Sequence, residues 1–203
     1  MIESFAIHTA VLVGLIVTWA WTERAGGVFA GFAVPGYLAA IALVAPSSAI
    51  AIALEAVITY GVAWILGDGL AMIGLTSRVF GRQRFLLFVL ASVPVRLWVE
   101  GIAADGFANL LGPWFGVPQG DGFFGVGLVL VPLLANAFWK LGLARGIAQA
   151  ASTTTLTALL LWFVVMPLLG LEFSSFLLSF EDIATDFVAA PKVYILLLCT
   201  AFV

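Results

Sequence analysis

The chain has 203 residues, of which 64% are apolar and only 9% are charged, and its formal net charge is −3. A soluble domain carries about 25% charged residues, so this composition excludes a soluble globular protein. A mean hydropathy of +1.20 and long apolar runs indicate helices that cross a lipid bilayer.

Six apolar runs are long enough to cross a bilayer, because a span needs about 20 mostly apolar residues. In chain order they cover residues 4–22, 25–45, 47–66, 85–104, 123–139 and 148–171. A seventh apolar run begins near residue 192, but residues 193–203 cover only about 16 Å. Either this helix starts earlier, at about 183, or it ends inside the membrane, or the natural chain continues, and we expect the last. The sequence thus predicts one all-α transmembrane domain over residues 1–203, with six to seven transmembrane helices.

The basic residues predict the orientation of these spans, because lysine and arginine collect on the cytoplasmic side of a membrane. With the N-terminus outside, the cytoplasmic ends of the spans hold Arg24, Arg78, Arg82, Arg84, Lys140 and Arg145. Among the basic residues, only Lys192 then falls on the outer side. We therefore expect a multi-pass protein with its N-terminus outside.

A sequence pattern of Gly-x-x-(Val/Leu)-x-x-x-Leu-Ala occurs twice, first from Gly31 and again 96 positions later from Gly127. Each copy contains a proline, Pro35 in the first and Pro132 in the second, displaced by one position between the copies. The first copy lies in the second predicted span and the second copy in the fifth. A shift by three spans, an odd number, reverses the direction of the chain. The pattern therefore predicts a 3+3 inverted repeat, with one copy at about 4–80 and the other at about 85–171.

Glycine and proline in the first copy, including Pro35 and Gly36, weaken a helix and free backbone groups that need other partners. One interpretation is a broken helix that lines a cavity inside the membrane. The other is that small residues allow two helices to pack closely. The sequence leaves both open, for this stretch and for its second copy.

Charged residues inside spans are candidate site residues, because an unpaired charge there costs several kcal/mol. Glu55 and Arg96 lie at similar predicted depths on spans that follow each other in sequence, and Glu100 lies one helical turn after Arg96. An arginine there could grip a carboxylate with two hydrogen bonds, as part of a substrate or proton path. Alternatively, the charges form a buried bridge between helices. Tyr37 and Asn136 lie near the repeat motifs and are candidates for the same path.

Three arginines, Arg78, Arg82 and Arg84, form a basic turn before the fourth span. Such a turn is typical of the cytoplasmic anchoring of a span. It could also be the docking point for an acidic polymer or for a soluble partner protein.

Several segments resemble the PgsC/CapC family in family order. Thr22-Glu23-Arg24 with Val34-Pro35-Gly36-Tyr37-Leu38-Ala39 is similar to its first helical hairpin, and Gly81-Arg82-Gln83-Arg84-Phe85 resembles its basic turn. Ala135-Asn136, Lys140 and Gly142-Leu143 resemble a later segment of the family. The displaced Pro132 and the longer outer segments are those of a divergent member or a related membrane domain.

The resemblance implies a membrane subunit of a poly-γ-glutamate synthase and capsule system in the bacterial cytoplasmic membrane. In that family a separate Mur-ligase-like cytoplasmic ATPase subunit joins the glutamates, other membrane subunits belong to the system, and export of the polymer is part of its work. The expected function is therefore to recruit the ligase and to help an anionic polymer through the membrane.

The residues themselves predict no catalytic site in this chain. The only lysines are Lys140 and Lys192, and neither belongs to a Walker-type Gly-x-x-x-x-Gly-Lys motif. With one histidine and one cysteine, we expect no metal site, and we predict no cofactor and no nucleic-acid partner. A secondary transporter or channel for an anionic solute remains the alternative, a membrane acyl- or glycosyltransferase ranks last, and self-association into a homo-oligomer is left open.

Overall fold

The computed structural model describes residues 3–26, 34–74, 81–99 and 124–170, and these residues are almost entirely helical, with short breaks between consecutive helices at Ala45 and Gly142. The helices are α1 (Glu3–Ala25), α2 (Val34–Val44), α3 (Pro46–Trp64), α4 (Arg82–Leu97), α5 (Phe124–Leu141) and α6 (Leu143–Leu160). A π-helical turn at Ile65–Gly69 extends α3 to Met72, and a second one at Leu161–Val165 extends α6 to Leu169. The all-α prediction is confirmed for the described part of the chain.

Three of the described helices are long and apolar enough to cross a membrane, namely Ala6–Arg24, Pro46–Met72 and Leu143–Leu169. The segments Val34–Val44 and Val129–Leu141 are apolar but shorter. Large apolar side chains such as Leu12, Leu90 and Phe163 are exposed on the outer surface of the helices. Such a surface suits contact with lipid, so the fold is that of a helical membrane protein. The additional helix expected near 183 lies outside the described residues.

Three predicted span boundaries are wrong, each for a local reason. The second span does not start at residue 25, because α1 includes Ala25 and Gly26 ends it with a left-handed φ of 64°. The third span does not stop at 66, because the π-helical turn carries the helix past Asp68. The sixth begins at Leu143 rather than 148, because Gly142 (φ 81°) ends α5 and α6 starts directly. Polar residues in the first stretch of α6 interrupt the apolar run, so the sequence predicts a start that is too late.

The helices α2, α3, α5 and α6 pack against one another at the centre of the molecule. On one side α1 packs against α2 and α6, and on the other side α4 packs against α3 and α5. The main apolar core lies within the central group, where Ile41, Leu134 and Leu161 are completely buried. A second apolar cluster joins α3, α4 and α5 around Ala63 and Phe88.

Glycines let two pairs of helices approach to backbone contact. A Cβ atom on Gly14 of α1 would lie 2.4 Å from the backbone nitrogen of Gly36 in α2, and one on Gly36 would lie 2.5 Å from the Ala10 carbonyl oxygen. On α6, a Cβ on Gly146 would lie 2.8 Å from the Cα of Phe138 in α5. These contacts are the small-residue packing that brings membrane helices together.

Candidate functional site

Glu55 and Arg96 form an ion pair between α3 and α4. The Nη1 atom of Arg96 lies 3.6 Å from Oε2 of Glu55, and the two side chains are 2% and 1% exposed. The structure therefore brings together the two charged residues that the sequence placed at similar depths. Because both helices are apolar, the two charges are removed from water, and each depends on charged or polar neighbours for its stability.

Two buried hydroxyl side chains lie one helical turn away from the members of this pair. Thr59 follows Glu55 by one turn of α3, and Ser92 precedes Arg96 by one turn of α4; both are buried. The Ser92 hydroxyl donates to the carbonyl of Val89 at 2.8 Å. The Thr59 hydroxyl has no hydrogen-bond partner among the described atoms. The sequence analysis missed both residues, although a hydroxyl four positions from an intramembrane charge was a usable signal.

The remaining candidates for the path occupy other helices or fall outside the described residues. Tyr37 packs against the apolar core from α2, and Asn136 is half-buried on α5. The helices α2 and α5 contact each other and the central group. Glu100 lies outside the described residues.

Both prolines of the repeat motifs are buried within helices. Pro35 and Gly36 are in the first turn of α2, and α5 continues through Pro132. Gly127 lies near the start of α5, while Gly31 is outside the described residues.

Pro35 lines a small cavity between α1, α2, α5 and α6. Its volume is about 20 Å³, and the polar residues at its wall are Thr18, Gln149, Thr153 and Thr154. The hydroxyls of Thr18 and Thr153 donate to the carbonyls of Gly14 and Gln149 in their own helices. A cavity of this size holds about one water molecule, so it is not a pore.

The basic turn has one exposed arginine and one that is packed on an aromatic ring. Arg82 is exposed at the start of α4. The guanidinium of Arg84 lies 4.5 Å from the centre of the Trp139 ring, a cation–π contact. Lys140 and Arg145, on either side of the α5–α6 turn, are also exposed, and Arg78 lies outside the described residues.

Trp139 itself is the centre of an aromatic cluster that we define as Tyr60, Phe88 and Trp139. The ring centre of Trp139 lies 5.6 Å from that of Tyr60 and 5.8 Å from that of Phe88. These distances and tilted rings are those of favourable aromatic pairs. The cluster fixes α3, α4 and α5 together beside Arg84.

The described residues contain no group of three or more His, Cys, Asp or Glu side chains that could hold a metal ion. The chemistry that they offer is therefore that of a buried arginine–glutamate pair with hydroxyl neighbours. Such a pair can bind an anionic group or a proton.

A comparison with protein families finds one match over most of the chain. A family model described as "Capsule biosynthesis CapC" matches residues 13–147, which include α2–α5 and the ion pair. Neither the curated proteins nor the solved structures contain a significant match.

Proposed function

The chain belongs to the capsule biosynthesis CapC family, and from that premise we propose that it helps an anionic polymer of the poly-γ-glutamate type through the cytoplasmic membrane. Family membership and apolar helices make it a membrane subunit of capsule polymer synthesis. We propose two roles for this subunit. It binds the carboxylates of the polymer inside the bilayer and holds the ligase that makes the polymer at the cytoplasmic face.

The buried ion pair is the observation that carries the proposal. A buried arginine is stable only when it is paired, and Glu55 supplies that partner at 3.6 Å. A carboxylate of a passing polymer can take the place of Glu55, because arginine binds carboxylates with two hydrogen bonds. Arg96 would then never be left without a negative partner while the polymer moves.

The neighbouring hydroxyl groups fit this role. The Thr59 hydroxyl is buried one helical turn from Glu55 and has no hydrogen-bond partner among the described atoms, so it is able to donate to a carboxylate oxygen. Such a donor would help to hold a polymer carboxylate close to Arg96.

The ligase chemistry belongs to a partner in this proposal, because the chain has no nucleotide-binding motif. Arg82, Lys140 and Arg145 are exposed near the α3–α4 and α5–α6 turns. We propose that these cations, with Arg78, contact a cytoplasmic ATP-dependent amide ligase. This placement requires the orientation with the N-terminus outside.

The helix pairs that pack together support the proposal of a 3+3 inverted repeat. We compared the packed pairs after exchanging each helix of the first three with its counterpart in the last three, α1 with α4, α2 with α5 and α3 with α6. The pair α1–α2 then corresponds to α4–α5, α3–α4 to α6–α1, and α3–α5 to α6–α2, and all of these pairs pack together. The π-helical turns Ile65–Gly69 and Leu161–Val165 begin 96 residues apart, which is also the spacing of the two sequence motifs. Both observations are those expected of two related halves with opposite orientations.

A neutral pair, Glu55→Gln with Arg96→Gln, tests the role of the ion pair. Removing one charge alone would leave the other unpaired at a cost of about 3–5 kcal/mol, whereas the double variant keeps two hydrogen-bonding side chains of similar length to the originals. We expect it to reach the membrane and to retain its thermal stability. Polymer on the cell surface should fall at least roughly tenfold, because a charged hydrogen bond contributes about 1.5–3 kcal/mol.

The control for that experiment is Glu23→Gln with Arg24→Gln, which neutralises an exposed acid–base pair at the end of α1. This variant should make a normal amount of polymer. If the folded Glu55→Gln/Arg96→Gln variant also exports polymer normally, the ion pair serves only to join α3 to α4.

A secondary transporter for an anionic solute is the second candidate, favoured by the exchangeable set of helix contacts. Purified protein in lipid vesicles distinguishes the two functions. Flux of a small dicarboxylate into vesicles that contain this chain alone would support the transporter. Co-purification of a cytoplasmic ATP-dependent amide ligase, without such flux, would support the polymer subunit.

A further inference from the structure

Ser48, Glu55 and Thr59 lie on one face of α3, and we propose that they line a hydrated passage to Arg96. The passage opens at the membrane face where α3 begins and is closed at its other end by the aromatic cluster. The inference rests on the proposed function in one respect, since it takes Arg96 as the group that binds the anion. What it adds is a direction of access and one further residue, Ser48.

Two contrasting sets of hydroxyl groups occur in the described part of the chain. The first set donates to a carbonyl one turn earlier in its own helix, at 2.7–2.8 Å, and consists of Thr18, Thr22, Ser92, Thr153 and Thr157. This is the usual arrangement for a hydroxyl in an apolar helix. The second set has no hydrogen-bond partner among the described atoms; it consists of Ser48 and Thr59 on α3 and of Thr154, which lines the small cavity. The two hydroxyls on α3 are buried, with exposures of 6% for Ser48 and 0% for Thr59.

A buried hydroxyl without a partner costs free energy, so such groups in proteins usually meet water. Thr59 could satisfy its hydroxyl within α3, as Thr157 does in α6 by donating to Thr153. Because Thr59 does not do so, we infer a polar partner outside α3, in the space between the helices. Water beside Glu55 and Arg96 also lowers the cost of burying their charges.

The spacing of the three residues gives the passage its direction. Ser48, Glu55 and Thr59 are 7 and 4 positions apart, so they share one side of the helix. At 1.5 Å per residue they lie about 3, 13 and 20 Å from Pro46, the first residue of α3. The line of polar groups therefore starts close to one membrane face and ends well inside the bilayer.

The aromatic cluster occupies the space beyond Thr59. Tyr60 is the next residue of α3, and Trp139 contacts both it and Phe88. Phe88 is completely buried, and Ala63 packs beside it, one turn after Thr59. The Arg84 guanidinium covers the Trp139 ring at 4.5 Å. Apolar rings of this kind exclude water, so the passage is open to only one side of the membrane.

Cysteine labelling tests this directly. In a Cys199→Ser background, Ser48→Cys and Thr59→Cys are treated with a charged, membrane-impermeant methanethiosulfonate, which reacts only with thiols that meet water. We expect both to react from the face where α3 begins and neither from the opposite face. Adding Trp139→Ala to Thr59→Cys should make that position reactive from both faces.

Two further cysteine variants serve as controls. Thr157→Cys replaces an equally buried threonine whose hydroxyl donates to its own helix, and Leu54→Cys places a thiol on the exposed outer surface of α3. Neither should react, so the test thiols should be labelled at least roughly tenfold faster. Absence of labelling at both Ser48→Cys and Thr59→Cys overturns the passage, as does equal labelling from both faces while Trp139 is intact.

A measurement on the unaltered protein guards against misfolded variants. Ile52 lies between Ser48 and Glu55 on the same face and is 2% exposed, and Ile41 in the apolar core is 0% exposed. Hydroxyl-radical footprinting in lipid vesicles should oxidise Ile52 and leave Ile41 unchanged. Equal protection of the two isoleucines overturns the passage.

The outcomes separate the passage from the proposed function. Labelling requires neither polymer nor ligase. If the thiols fail to react but Glu55→Gln/Arg96→Gln still abolishes export, the passage is wrong and the polymer-binding role stands. If the thiols react but that double variant exports normally, the passage stands and the polymer-binding role is wrong.

Discussion

At the scale of single residues, two kinds of side chain decide how this protein is built. The pair Glu55–Arg96 places opposite charges between α3 and α4, and the proposed binding of an anion depends on it. Gly14 and Gly36 are important for the opposite reason, namely that they have no side chain. The backbones of α1 and α2 can therefore come into contact there. The charges and the glycines are both visible in the sequence, but only the structure shows what each faces.

Gly36→Ala should destabilise the protein because the added methyl group would meet the backbone of α1 at 2.5 Å. Forced separation of packed helices costs about 1–3 kcal/mol. Thermal unfolding in detergent measures the effect. The control is Gly61→Ala, where a Cβ meets nothing within 4 Å and where alanine favours the helix by about 1 kcal/mol. A loss of stability in Gly61→Ala as large as that in Gly36→Ala would contradict the prediction.

At the scale of elements, the turn before α4 has one arginine that packs against another helix and one that is exposed on the surface. Arg84 is held against Trp139, so it belongs to the packing of α4 on α5. Arg82 is exposed and is free to meet a partner protein. The two arginines of this turn that the structure describes therefore have different surroundings.

Arg78→Glu with Arg82→Glu should weaken binding of the cytoplasmic ligase without inverting the protein. The orientation should persist because Arg24, Arg84, Lys140 and Arg145 remain on the same predicted side. Co-purification measures the association, and labelling of Met72→Cys, exposed at the end of α3, reports the orientation. The control is Arg78→Lys with Arg82→Lys, which keeps the charge. An inverted orientation would mean that the turn acts as an anchor alone.

At the scale of the whole molecule, each half depends on the other for its packing. The helix α3 of the first half packs against α4 and α5, while α6 of the second half packs against α1 and α2. The apolar core includes residues from both halves. Neither half alone can bury the surfaces that these contacts cover.

Residues 1–74 and 75–203, expressed as separate chains, should therefore assemble in the membrane and co-purify. This division falls in the turn between α3 and α4 and cuts no described helix. A division after Val131, which cuts α5, serves as the control and should not assemble, because it breaks the helix at the centre of the fold. If 1–74 is stable alone and does not bind 75–203, the halves are independent units.

The amino-acid sequence alone is sufficient to predict the membrane class, the family, and the presence of two opposite charges at similar depths in neighbouring spans. These features can be predicted from the sequence because apolar length, charge placement and a short motif such as Val34–Ala39 are local properties of the chain. The sequence did not determine that α1 ends at Gly26 or that α3 extends to Met72, since a turn glycine and a π-helical turn depend on backbone conformation. The packing of the helices decides that the two charges form an ion pair, that Arg84 lies on Trp139, and that Gly36 meets Gly14. These are contacts between helices, and the pattern of one helix does not reveal which face of another it meets.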